Sequence, residues 1–180
     1  NILGEGEESQ NLKTLATKLK LERVNFLGFS NNPQPHYDRA AIVCLTSTYE
    51  GWGMVLMEAQ TNGCATIAFD CSAGVREILS PSWENGVLVT PYSIEEYAQS
   101  LSKLMEDEDL RNKIAVNARS SVKRFSLENT LNQWNNVFIE LSNIDAEASG
   151  DELHFGEMSL HRCLYEEMVG QMITQDNLRV

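Results

Sequence analysis

The chain has 180 residues, 42% of them hydrophobic, which suffices for one good core and a tail. Lys and Arg number 14 against 26 Asp and Glu; the net charge of −12 argues against nucleic acid as a partner and leaves at most peripheral contact with an anionic membrane. No apolar run approaches the roughly 20 residues of a membrane span and no basic-then-apolar leader opens the chain, so a soluble, cytoplasmic protein is expected. Cys44, Cys64, Cys71 and Cys163 show no Cys-x-x-Cys spacing, and two of them lie in or beside apolar strands as reduced core thiols do, in keeping with that compartment.

Asn1-Ile2-Leu3 reads as the end of a strand, followed by Gly4-Glu5-Gly6-Glu7-Glu8-Ser9. This resembles a dinucleotide fingerprint, but Ser9 stands where the third glycine belongs and three Glu would repel a pyrophosphate; the alternative is a tight strand-to-helix turn with Ser9 as N-cap. Leu12, Leu15, Ala16 and Leu19 recur at helical spacing and predict a helix with one face on the sheet. Val24 to Leu27 is the next strand, ending in Gly28-Phe29-Ser30-Asn31-Asn32-Pro33, an irregular loop on the expected ligand edge; the alternative is a plain connection with Phe29 packed beneath it. His36 and Tyr37 open a short helix before the apolar strand Ala41 to Leu45.

The most informative stretch comes next. Glu50-Gly51-Trp52-Gly53-Met54-Val55-Leu56-Met57-Glu58 places two carboxylates around a Gly-x-Gly turn between that strand and a helix from Met54 to Asn62, with Gly63 as its stop. Ligands of open α/β sheets collect at the carboxyl ends of the strands, and the N–H groups of Gly53, Met54 and Val55 at a helix start favour an anion such as phosphate. Glu50 and Glu58 would flank that phosphate. Like charges repel, so each carboxylate is better used accepting from hydroxyls; a ligand with sugars on both sides of a diphosphate, a nucleotide-sugar, fits this demand.

Ala65 to Phe69 reads as another strand, then Asp70-Cys71-Ser72-Ala73-Gly74 as a small-residue turn that leaves room for a ligand, running into a helix. Arg76 is expected in a local ion pair, with phosphate as the alternative. Asn85-Gly86 is a turn and Val87 to Val89 a last strand. Ser93 and Glu96 have capping-box spacing, Asp107 caps a second helix, and Ser126 a third through Leu131, Trp134 and Phe138. Residues 145–152 read as an acidic, loop-like linker. Leu160, Leu164, Met168 and Met172 then mark an amphipathic helical tail, where His154, His161 and Cys163 do not complete a metal set. Two regions are expected: 1–141, an α/β domain with a Rossmann-like parallel sheet covered by helices on both faces, and 142–180, the linker and tail.

The Glu-x7-Glu pair, preceded by Leu45-Thr46-Ser47-Thr48-Tyr49 and followed by Glu58-Ala59-Gln60, Gly63 and Thr66-Ile67-Ala68-Phe69-Asp70, resembles the family 4 retaining glycosyltransferases of the GT-B fold, over roughly Asn1 to Leu141. The resemblance implies the carboxyl-terminal, donor-binding half of such an enzyme with a helical extension. It would place Glu50 against the donor sugar as the catalytic carboxylate. Trp52, Gly53, Met54 and Val55 would meet sugar and phosphate, Glu58 the ribose, and the backbone of Gly28 and Phe29 the base. No metal or cofactor is implied beyond the nucleotide-diphosphate sugar itself. The acceptor, a glycan, lipid or other molecule, would be held through an amino-terminal domain missing here, as are the Gly-Arg and Lys with which relatives neutralise the diphosphate, so this fragment is expected to turn over little alone. Two other classes stay open: a non-catalytic nucleotide-sugar-binding module, and a nicotinamide-dependent oxidoreductase, for which the incomplete glycine pattern predicts no NADH binding.

Overall fold

The computed structural model describes residues 1–149, with side chains through residue 141. The expected tail helix around Leu160 to Met172, together with His154, His161 and Cys163, lies outside the described residues. The chain divides into two units, Asn1–Ser126 and Leu127–Val180.

In the first unit strands and helices alternate: β1 (Ile2–Leu3), α1 (Ser9–Lys18), β2 (Phe26–Gly28), α2 (Gln34–Tyr37), β3 (Ile42–Leu45), α3 (Met54–Thr61), β4 (Ala65–Phe69), α4 (Ala73–Leu79), β5 (Val87–Val89), α5 (Ile94–Glu106) and α6 (Glu108–Ser121), closed by a 3-10 turn, Val122–Phe125. Every ladder is parallel, in two groups: β1 with β2, and β3, β4, β5 side by side in chain order. All five residues of β4 are buried, as a continuous apolar run demands of a strand with a helix layer on each face.

Those layers divide by strand alternation. Ala65, Ile67 and Phe69 of β4 join Val87 and Val89 of β5 under Tyr97 and Leu104 of α5 and Ile114 of α6. Ala68, from the other face, packs with Leu56 of α3 and Val75, Ile78 and Leu79 of α4. Helices therefore cover both faces. Asp107 caps α6 as expected, accepting from the Leu110 N–H at 2.9 Å, and α3 stops in a Schellman arrangement. There Gly63, at φ +78°, donates to the Gln60 carbonyl and the Cys64 N–H to the Ala59 carbonyl.

Several local expectations fail. No residue of α1 is buried, and Leu12, Leu15 and Leu19 stay 44, 48 and 57% exposed, because a ladder of two and three residues is too small to cover their stripe. Ser9 does not cap α1: Glu8 holds that position, and the Ser9 hydroxyl accepts instead from the Gly6 N–H behind it. Ser93 sits at the α5 N-cap without a side-chain bond, while Glu96 reaches back to the Thr90 N–H, so the capping box is not closed. In the second unit α7 runs Leu127–Ser149, so residues 145–149 are helical rather than loop-like. Ala146, Glu147 and Ala148 are good helix formers and continue the helix past Asp145.

Candidate functional site

The chain between β3 and α3 turns on Gly53. Its φ of +93° lies in the left-handed region, and a Cβ there would come within 3.3 Å of Val75 Cγ2 and 3.4 Å of Leu56 Cδ1. Only glycine fits both demands. The turn starts α3 so that the Leu56 N–H closes on the Gly53 carbonyl at 2.9 Å, while the N–H groups of Met54 and Val55 find no acceptor among the described residues. Leu56, Ala59 and Gln60 face the core; Met54, Val55 and Glu58 share the open side. Glu58 thus stands about 4.5 Å along the axis from Val55, one turn inside the donor-bearing end.

Glu50 is half-buried. Its carboxylate lies close enough to Cys71, in the loop after β4, to help raise that thiol's pKa, after burial as the main cause and with Asp70 adding to it. Glu58 leans the other way, accepting a hydrogen bond from the Tyr37 hydroxyl at 2.9 Å. Glu50 thus faces the loop after β4, and Glu58 faces α2. The Tyr37 hydroxyl is driven well above the ordinary tyrosine range, first by burial and then by Glu58, which keeps it a proton donor.

The turn after β4 is occupied differently from expectation. A Cβ on Gly74 would sit 2.7 Å from Trp52 Cα, 2.8 Å from the Trp52 carbonyl and 2.9 Å from that of Gly51. The space left by the small residue is taken by the Glu50 loop's own backbone rather than held open for a ligand. Ser72 caps α4 by accepting from the Val75 N–H at 3.2 Å. Arg76 forms the expected ion pair, with Asp70 as partner, through Nη2 to Oδ1 and Nε to Oδ2, both 3.0 Å. Trp52 packs edge-on against Phe125 with centroids 5.4 Å apart, its indole N–H directed at Met57 Sδ. From the far side, Tyr92 donates its hydroxyl to the Thr48 carbonyl at 3.2 Å, tying the loop after β5 to the one bearing Glu50.

Gly28 ends β2 at φ +74°, and Phe29 is 68% exposed rather than packed under its loop. Glu5 leans over Gly28, its Oε1 lying 3.0 Å from where a Cβ would stand. Glu50, Trp52, Gly53, Met54, Val55 and Glu58 are thus brought together by one turn and one helix, whereas Gly28 and Phe29 are related to them only along the chain, by the loop that leads into α2. Sequence reasoning missed Tyr37 and the fit of Gly74, since neither partner lies within a few residues of it. Elsewhere, a hollow of about 960 Å³ between α5 and α6, lined by residues including Gln99, Lys103, Glu106 and Asn112, contains none of these groups. Among the described residues no cluster of three or more His, Cys, Asp or Glu is arranged to hold a metal.

Residues 1–121 match the family model described as "Glycosyl transferases group 1". An uncharacterized glycosyltransferase of Haemophilus influenzae is 34% identical over 137 residues, which span 76% of this chain and 38% of that protein. The poly(glycerol-phosphate) alpha-glucosyltransferase of Bacillus subtilis is 31% identical over 135 residues, 74% of this chain and 20% of its own length. Among solved structures, Anabaena Alr3699/HepE in complex with UDP superposes with a TM-score of 0.66 at 31% identity, over 77% of this chain and 39% of that one. The α/β architecture is that of GT-B glycosyltransferases, and the chain spans well under half the length of these relatives.

Proposed function

This chain belongs to the group 1 glycosyltransferases, and we propose that it is the donor-binding part of a retaining enzyme of family 4, transferring a sugar from a nucleotide diphosphate to a glycan, lipid or other acceptor. The observation that carries this reading is the start of α3: two N–H groups, at Met54 and Val55, with no acceptor among the described residues, Glu50 near the loop after β4, and Glu58 one turn inside and bonded to α2.

Cleaving the sugar–phosphate bond gathers negative charge on the departing diphosphate, and fixed donors aimed at that charge stabilise the transition state. The N–H groups of Gly53, Met54 and Val55, with Trp52 beside them, fill that role. Glu58 accepts from the ribose hydroxyls and Glu50 from those of the donor sugar, since a carboxylate placed on the phosphate itself would oppose binding. The base lies against the backbone of Gly28 and Phe29. Retention follows if the acceptor enters on the face the diphosphate leaves. The acceptor is held by a further domain of the whole protein, consistent with relatives of which the matched residues span well under half.

Calorimetric titration with UDP, GDP and ADP and their glucose conjugates tests the assignments. Glu58→Gln should weaken the bare nucleotide by about ten- to a hundredfold, the worth of a hydrogen bond to a charged group. Glu50→Gln should leave the nucleotide alone and weaken only the sugar-bearing form. Affinities equal to the parent's for both variants overturn the roles, and absence of transfer after fusion to an amino-terminal GT-B half favours a non-catalytic binding module.

A further inference from the structure

Glu58 is an exposed side chain on the open face of α3, and a glutamate so placed would ordinarily sample several rotamers. Here it does not stand alone. Tyr37, 21 positions earlier on a separate helix, donates its hydroxyl to Glu58 Oε2 at 2.9 Å. We propose that Tyr37 is a positioning residue for the nucleotide's ribose, fixing the Glu58 carboxylate so that its remaining lone pairs meet the 2′- and 3′-hydroxyls. This rests on the ribose role given to Glu58 above.

The backbone that carries Tyr37 is held from several directions. Cys64, buried at the start of β4, directs its thiol at the Tyr37 carbonyl at 3.4 Å and the Ala40 carbonyl at 3.2 Å. Gln34, at the other end of α2, donates to Asp38 Oδ1 at 2.8 Å and to Asn62 Oδ1 beyond the end of α3. Asn62 in turn donates to the Glu58 carbonyl at 2.8 Å. These bonds clamp the short α2 helix onto the carboxyl-terminal half of α3, and the tyrosine is the one member whose hydroxyl reaches the acid's side chain.

The lone-pair count favours positioning over obstruction. An ionised carboxylate offers about four acceptor sites; Tyr37 uses one, and a vicinal diol needs two. Burial and the neighbouring carboxylate both keep the phenol protonated, so it remains a donor throughout the ordinary pH range. Because α2 begins where the loop carrying Gly28 and Phe29 ends, the same clamp couples the base side of the site to the ribose side.

The test compares the tightest-binding of UDP, GDP and ADP with its 2′,3′-dideoxy counterpart, titrated into the parent, Tyr37→Phe, Glu58→Gln and the double variant. Tyr37→Phe should weaken the ribonucleotide by about tenfold, the cost of ordering a free glutamate on binding, and leave the dideoxynucleotide unchanged. The double variant should match Glu58→Gln, because Tyr37 acts through that acid. Unchanged or tighter ribonucleotide binding by Tyr37→Phe, with Glu58→Gln still sensitive, removes the positioning role alone. Equal losses for both nucleotides would mark a loosened α2 and also overturn it. If Glu58→Gln fails to distinguish the two nucleotides, the ribose reading falls, and the role of Tyr37 with it.

Discussion

Replacing Gly74 with alanine asks whether the Glu50 loop is held in place by a backbone-to-backbone fit. The new methyl would sit 2.7 Å from Trp52 Cα, where ordinary contact begins at 3.4 Å, so loop and helix must part by the difference, about 0.7 Å. Its neighbours are backbone atoms that cannot swing aside as a side chain would. Overpacking of this kind costs about 1–3 kcal/mol. Against that stands a gain of at most about 1 kcal/mol from restricting the unfolded chain, since the Gly74 backbone needs no left-handed conformation. The net loss of stability is therefore about 0–3 kcal/mol, whereas the effect on the site is large. A displacement approaching 1 Å moves Glu50 and the Gly53 turn off their alignment and should weaken nucleotide-sugar binding by roughly tenfold. Urea denaturation and calorimetric titration measure the two quantities. Gly6→Ala, whose methyl would meet nothing within 4 Å, serves as the control. Stability and affinity equal to the parent's in Gly74→Ala would refute the argument.

Asp107→Ala should cost about 1 kcal/mol in urea denaturation, because it removes the cap on Leu110, while Ser93→Ala, with no such bond to lose, should cost less than about 0.5 kcal/mol; similar losses would contradict the capping geometry. Alkaline pH should destabilise the first unit through Tyr97, whose hydroxyl donates to the Ile67 carbonyl at 3.1 Å and whose pKa is raised chiefly by burial, then by Cys44. The folded state holds that proton more tightly than the unfolded chain. Its contribution is thus complete below the ordinary tyrosine value of about 10 and is lost as pH climbs above it. Urea midpoints taken between about pH 8 and about pH 11 should fall for the parent and fall less steeply in Tyr97→Phe, with a residual slope from Tyr37 and from the thiols of Cys44, Cys64 and Cys71, whose pKa values burial also raises; parallel curves for the two proteins count against it.

Much of this was readable along the chain because it is locally encoded. Three apolar runs of three to five residues, each followed by glycine or small polar residues and then a helical pattern, suffice to predict β3, β4 and β5 and the helices between them. The turn at Gly53 and the helix it opens lie within nine residues of sequence, so the grouping of Glu50, Met54, Val55 and Glu58 is legible too. The failures share a cause. Leu12, Leu15 and Leu19 carry the right period, yet whether a stripe is covered depends on how much sheet lies beneath it. Ser93 and Glu96 have the right spacing, but the Thr90 N–H competes for the same carboxylate. Gly74 and Tyr37 draw their importance from Trp52 and Glu58, neighbours in space that no periodicity announces.

The arrangement of β4 has a consequence for how the first unit comes apart. Because Ala65, Ile67 and Phe69 belong to one apolar layer and Ala68 to the other, the strand is a wall common to both. Peeling α5 and α6 away would bare one side of that wall and loosen the residues that support α3 on the reverse. The two layers should therefore melt in a single cooperative step, and ligand seated at the start of α3 would raise the melting temperature of the helices behind it.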